Sequence, residues 1–199
     1  MQPPIQSASH GGNLEAFLVS LGIVALAEIG DKTQLLALVL AARYRRPVPV
    51  ILGILVATLA NHALAAWLGA EVAGLLGRDA LRWILGLSFL AMAAWTLIPD
   101  KLEEEKPQSA RLGAFAATLI AFFLVEMGDK TQIATAALAA RYASIAAVVA
   151  GTTLGMMLAD APVVYFGERI LRRVPAKTLR RVAAASFALL GALALIDAG

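Results

Sequence analysis

The chain has 199 residues, 60% of them hydrophobic and 16% charged, with a mean hydropathy of +0.76 and a formal charge of +3. That composition belongs to integral membrane proteins and leaves room for about six spanning helices of roughly 20 residues, with none for a separate soluble catalytic domain. The absence of cysteine excludes disulfides, thiolate metal sites and a cysteine nucleophile. The basic balance belongs to loops that set topology, so no nucleic-acid partner is expected.

Residues 1–13 are polar, rich in Pro, Gly and Ser and free of Lys and Arg, which reads as a disordered N-terminal tail and not a secretory signal. The first apolar run, residues 14–42, carries Glu28-Ile29-Gly30-Asp31-Lys32-Thr33-Gln34 near its centre. An ionised side chain at the centre of a spanning helix is unfavourable by about 2.5 to 3.5 kcal/mol on insertion scales, so three together mark function by default. Arg43, Arg45, Arg46 and Pro47 close the run. A second span is expected over residues 50–68, bearing Asn61 and His62, then a polar connection over 71–82 and a third span over 83–98. Residues 99–111 form an acidic linker around Glu103, Glu104 and Glu105, read as a solvated loop.

The fourth run, residues 112–140, repeats the motif as Glu126-Met127-Gly128-Asp129-Lys130-Thr131-Gln132, 98 residues after the first. Each copy is followed at the same distance by Ala-Arg-Tyr, ending at Tyr44 and Tyr142. A fifth span over 145–166 carries Asp160 and Pro162, a basic loop covers 168–181, and a sixth span is expected over 182–196. Gly53, His62, Trp67, Gly69 and Phe89 align at the same offset with Gly151, Asp160, Tyr165, Gly167 and Phe187.

The chain therefore reads as an all-α integral membrane protein of six transmembrane helices, built as two three-helix repeats over residues 14–98 and 112–199. An odd number of spans per repeat makes the second enter the membrane from the opposite face, the inverted-topology arrangement of many secondary transporters. Twelve Lys and Arg residues fall in the loops between spans one and two, three and four, and five and six, against Arg78, Arg82 and Arg141 on the other side. By the positive-inside rule the crowded side is cytoplasmic and both termini lie outside.

On a continuous helix Glu28 and Asp31 share a face with Lys32 beside them. Gly30 and Gly128 permit either close helix approach or a local break. Two such motifs facing each other gather Glu28, Asp31, Glu126 and Asp129, with Thr33, Thr131, Gln34 and Gln132 adding neutral oxygens. Such a hard-oxygen cage suits Mn²⁺, Ca²⁺ or Mg²⁺. Protons compete with a divalent cation for crowded carboxylates, and exchange of one for the other is antiport. Lys32 and Lys130 are expected to pair with Asp31 and Asp129. Asn61, His62 and Asp160 are auxiliary candidates that either line the path or pair locally; Met127, Met156 and Met157 read as packing. The bland alternative makes each Glu/Asp/Lys set a buried ion-pair staple, a weak source of stability.

The doubled Glu-x-Gly-Asp-Lys-Thr motif, in six spans with a short acidic central loop, resembles the cation/proton exchanger family of Golgi manganese/calcium transporters and bacterial manganese exporters. The resemblance covers the chain beyond Asn13. It implies efflux of Mn²⁺, with Ca²⁺ as a further substrate, driven by protons, with the motif acids as metal ligands and no fixed cofactor. It also implies the bacterial branch and an inner-membrane location. The partners are then the cation, protons and the lipid bilayer, with a homodimer left open. Two other classes stay in play: an exporter of small organic solutes such as basic amino acids, and an intramembrane aspartyl protease. The protease reading fits poorly, because a catalytic dyad does not keep a lysine beside each acid.

Overall fold

The structure, a computed structural model, describes residues 10–98, 113–167 and 176–196. All eight elements among them are helices: α1 (His10–Glu28), α2 (Lys32–Tyr44), α3 (Pro47–Leu75), α4 (Arg78–Thr96), α5 (Ala114–Glu126), α6 (Lys130–Tyr142), α7 (Ile145–Phe166) and α8 (Ala176–Ile196). Four are long and apolar enough to cross a membrane: α1 from Gly11, α3, α7 and α8 from Lys177. The acidic linker and most of the last basic loop lie outside the described residues.

Several boundaries differ from the sequence expectation. Residues 10–13 are helical and open α1, inside the stretch read as a tail, whose residues 1–9 lie outside the described residues. Glu71 and its neighbours extend α3, leaving only Leu76 and Gly77 before α4. The sixth helix starts at Ala176, inside the stretch read as loop. Hydropathy under-reads such ends because charged side chains on a terminal helical turn reach water without breaking the helix.

The main correction concerns the two motif-bearing runs. Each is two helices, not one, because Gly30 and Gly128 adopt left-handed backbone with φ of 82° and 78°. Helical φ cannot pass through such a residue, and glycine alone takes it without a Cβ penalty. Glu28 and Glu126 therefore end α1 and α5, while Asp31 and Asp129 stand at the N-caps of α2 and α6. The expected shared helical face of Glu28 and Asp31 does not exist. A local break, and not close helix approach, is the use of the motif glycines: a Cβ on Gly128 would meet nothing within 4 Å.

Close approach falls to other glycines. A Cβ on Gly53 would lie 2.8 Å from the Phe115 carbonyl oxygen of α5, and one on Gly151 would collide with the Phe17 carbonyl of α1. These contacts correspond at the 98-residue offset, as do many others. α1 packs on α7 as α5 packs on α3; α2 packs on α7 as α6 packs on α3. α2 and α6 both end in a left-handed residue, Arg45 and Ala143, and Arg43 and Arg141 lie over the following Tyr44 and Tyr142 rings at 5.6 and 5.7 Å.

α4 and α8 form a further pair. Phe89 stacks on its counterpart Phe187 at 6.5 Å, and Gly86 and Gly191 let the two backbones close. This pair packs chiefly against α1 and α6, joining the larger apolar core of Ile23, Phe89, Met92, Leu138, Val148 and Phe187. A smaller core around Leu36, Ile54 and Phe122 unites α2, α3 and α5.

Candidate functional site

The two helix breaks meet, the lysine of each reaching the aspartate of the other. Within each, the amide of the left-handed glycine donates to the side-chain oxygen of the glutamine four residues on, Gly30 to Gln34 at 2.8 Å and Gly128 to Gln132 at 2.7 Å. The glutamine thus closes the turn that the glycine opens. Its nitrogen then ties the turn to a neighbouring helix: Gln34 Nε2 donates to the Ala159 carbonyl at 2.8 Å, and Gln132 Nε2 to Asn61 Oδ1 at 3.4 Å. Asn61 in turn donates to the Phe123 carbonyl at 3.1 Å. The glutamines, expected as ligands, have their oxygens on glycine amides. The signal for this role was in the motif itself, as a Gly and a Gln four residues apart.

The threonines hold the glutamates. Thr33 Oγ1 donates to Glu28 Oε2 at 2.6 Å, and Thr131 Oγ1 to Glu126 Oε2 at 3.1 Å. Each glutamate is fully buried, and each keeps its other oxygen, Oε1, without a hydrogen-bond partner. An orphaned carboxylate oxygen in a dry core is unfavourable and calls for a proton, a water or a cation.

Lysines cross between the motifs. Lys32 Nζ lies 2.8 Å from Asp129 Oδ1, and Lys130 Nζ lies 3.1 Å from Asp31 Oδ1. Both expected partners are used, each from the opposite repeat. The two pairs differ in exposure: the Lys32 side chain is 22% accessible and that of Lys130 only 2%.

The acids are also unequal. Glu28, Glu126 and Asp129, all buried, offer one oxygen each within 4.8 Å of one another. Asp31 stands outside that trio and turns to its own helix, accepting from the Lys32 amide at 2.7 Å. Asp129 makes no such cap bond and has Thr131 Oγ1 at 3.5 Å. Three carboxylate oxygens so placed can close on a hard divalent ion, whose oxygen bonds run about 2.0 to 2.6 Å.

His62 and Asp160 occupy equivalent places on α3 and α7, both fully buried, with neither nitrogen of the one nor either oxygen of the other hydrogen-bonded. Asp160 is one residue from the Ala159 carbonyl that receives Gln34. Pro162, just beyond it, removes one hydrogen bond from α7. Of the methionines, Met156 is in the core and Met127 is exposed.

Buried acids paired with lysines, walled in by helices apolar enough to cross a bilayer, define an ion-handling membrane protein. Comparison with known proteins names the family. The profile of the divalent cation/proton antiporter GDT1 family matches residues 16–104 and 114–199. A Vibrio cholerae protein named "Putative manganese exporter" is 55% identical over 178 residues, covering 89% of this chain and 88% of its own. A GDT1-like protein of Synechocystis is 30% identical over 186 residues, covering 83% of this chain and 89% of its own. GDT1-like protein 3 of rice is 28% identical, covering 88% and 72%. No solved structure matches this fold. The chain belongs to the GDT1 family of divalent cation/proton antiporters. It is a transporter and not an enzyme.

Proposed function

We propose that this protein exports Mn²⁺, with Ca²⁺ as a second substrate, in exchange for protons, and binds the metal midway through the membrane between its two motifs. The observation that carries this reading is the buried trio of Glu28, Glu126 and Asp129, with oxygens within 4.8 Å. The name of the Vibrio cholerae relative supports manganese as the ion. The oxygen-only donor set is compatible with either hard ion.

In this reading Glu28, Glu126 and the motif aspartates bind metal or protons in turn. Thr33 and Thr131 aim the glutamates, and Gln34 and Gln132 fix the broken turns. Lys32 and Lys130 balance the charge so that the ion can leave. Asn61 braces the second turn, while His62 and Asp160 line the route. The repeats over 14–98 and 112–199, joined by the linker at 99–111, form six spans of inverted topology, with α1 continuing into α2 and α5 into α6 as broken spans. Non-helical backbone at membrane depth is tolerated where it lines such a cavity, as in other inverted-repeat transporters. In this reading the protein sits in a bacterial inner membrane, and the distribution of basic residues supports both termini lying outside.

The test is uptake of Mn²⁺, Ca²⁺ and Mg²⁺ into proteoliposomes under an imposed proton gradient. Gradient-dependent Mn²⁺ accumulation, abolished in Glu28→Gln and Glu126→Gln, is the expected result. Movement of none of the three ions overturns it.

A further inference from the structure

The two motifs are identical at Glu, Gly, Asp, Lys, Thr and Gln, yet their surroundings are not. Asp129 joins the glutamates, whereas Asp31 caps its own helix. The α4–α8 pair leans on α1 and α6, and the counterpart surfaces on α5 and α2 are left more open. Val39 of α2 is 56% exposed, while its counterpart Ala137 of α6 is 7% exposed. Phe115, Leu124 and Met127 of α5 and its turn are exposed, while Phe17, Leu26 and Ile29 at the corresponding places are only partly so. The motif residues are common to both repeats, so these differences lie in what surrounds them: Asn61 and His62 against Ala159 and Asp160, and the α4–α8 pair resting chiefly on α1 and α6.

We propose that this arrangement is one of two states exchanged by the 98-residue correspondence. In the other state the α4–α8 pair packs on α5 and α2, Asp31 takes the place of Asp129 beside Glu28 and Glu126, and Asp129 caps α6. Metal is thus held by both glutamates in each state and by one aspartate at a time. The exposed faces of α5 and α2 are the second seat of the α4–α8 pair. Ser88 of α4 and Ala137 of α6 line one cavity here, and their counterparts at the second seat are Ser186 of α8 and Val39 of α2. The proposal rests on the transport reading for the identity of the ion and extends it to the order in which the carboxylates act.

The cysteine-free chain permits a direct test. A short bifunctional thiol cross-linker is applied to Ser88→Cys/Ala137→Cys, which reports this state, and to Ser186→Cys/Val39→Cys, which reports the other. Each pair is made in the parent chain, in Asp31→Asn and in Asp129→Asn, with and without Mn²⁺, and Mn²⁺ binding is measured separately by equilibrium dialysis. The parent forms both cross-links. With Asp31→Asn, Mn²⁺ favours the first cross-link over the second by on the order of tenfold; with Asp129→Asn it favours the second by a similar factor, since a ligand shifts states only by its differential affinity. A parent chain that binds Mn²⁺ and never forms the second cross-link overturns the proposal, even if an Asn variant fails to fold. So does Mn²⁺ moving both reporters in the same direction in both variants. A parent chain that binds no Mn²⁺ overturns the transport reading itself, and the exchange of carboxylates with it.

Discussion

Lys32 in the first motif reaches Asp129 in the second at 2.8 Å, and Lys130 returns the contact to Asp31 at 3.1 Å. Each repeat therefore neutralises the other's acid, and neither motif is electrically complete alone. The difference in exposure predicts different penalties. Losing one member of a dry ion pair typically costs about 3 to 5 kcal/mol, and the cost falls where one partner reaches water, as the Lys32 side chain does at 22% accessibility against a buried Asp129. Lys130→Ala is expected to lower the thermal midpoint in detergent more than Lys32→Ala. Equal shifts would mean that the exposure of Lys32 does not weaken its pair.

The threonine hydroxyls supply the next prediction. Thr33 donates to Glu28 at 2.6 Å and Thr131 to Glu126 at 3.1 Å. A hydrogen bond to a charged group contributes about 1.5 to 3 kcal/mol. Thr33→Val and Thr131→Val are expected to weaken Mn²⁺ binding about tenfold or more while the helices persist by circular dichroism. Thr33→Ser, which keeps the hydroxyl, is expected to restore most of the affinity.

Glycine substitutions should sort by what a Cβ would meet. At Gly69 it would lie 2.7 Å from the Ala136 carbonyl carbon of α6, so Gly69→Ala forces α3 and α6 apart at about 1 to 3 kcal/mol. Gly128→Ala meets no atom but must hold φ near 78°, a strain of about 1 to 2 kcal/mol. Gly22→Ala, inside α1 with nothing within 4 Å, should stabilise by about 0.5 to 1 kcal/mol. Denaturation midpoints of the three variants check the order.

Proton competition gives a pH dependence with a fixed sign. Metal binding requires deprotonated carboxylates, so acidification favours the proton-loaded form and releases the cation. The apparent Kd for Mn²⁺ is expected to rise steadily as pH falls from 8 to 6, and the slope to become shallower in Glu28→Gln, which removes one exchangeable proton. A Kd independent of pH would exclude coupling through this site.

Much of the molecule was legible in the chain itself. Apolar runs made it a helical membrane protein, since a bilayer admits backbone only when its hydrogen bonds close internally. The doubled motif pointed to the candidate site, because charge at membrane depth is too unfavourable to be incidental. Gly53 and Gly151 already stood 98 residues apart and proved to be equivalent packing points. Tertiary structure decided what the motif does. Both readings of Gly30, close approach or break, suit a residue without a side chain, and only the backbone around it selects φ of 82°. The lysine partners could not be read because the crossing contact joins residues far apart in sequence, and local spacing is silent about such contacts. Above all, the two motifs share Glu, Gly, Asp, Lys, Thr and Gln, so motif spacing alone does not say which aspartate joins the glutamates. That it is Asp129 and not Asp31 shows only in the packed structure, where Asp31 caps its own helix and the α4–α8 pair rests chiefly against α1 and α6, because long-range packing is not written in a repeated local pattern.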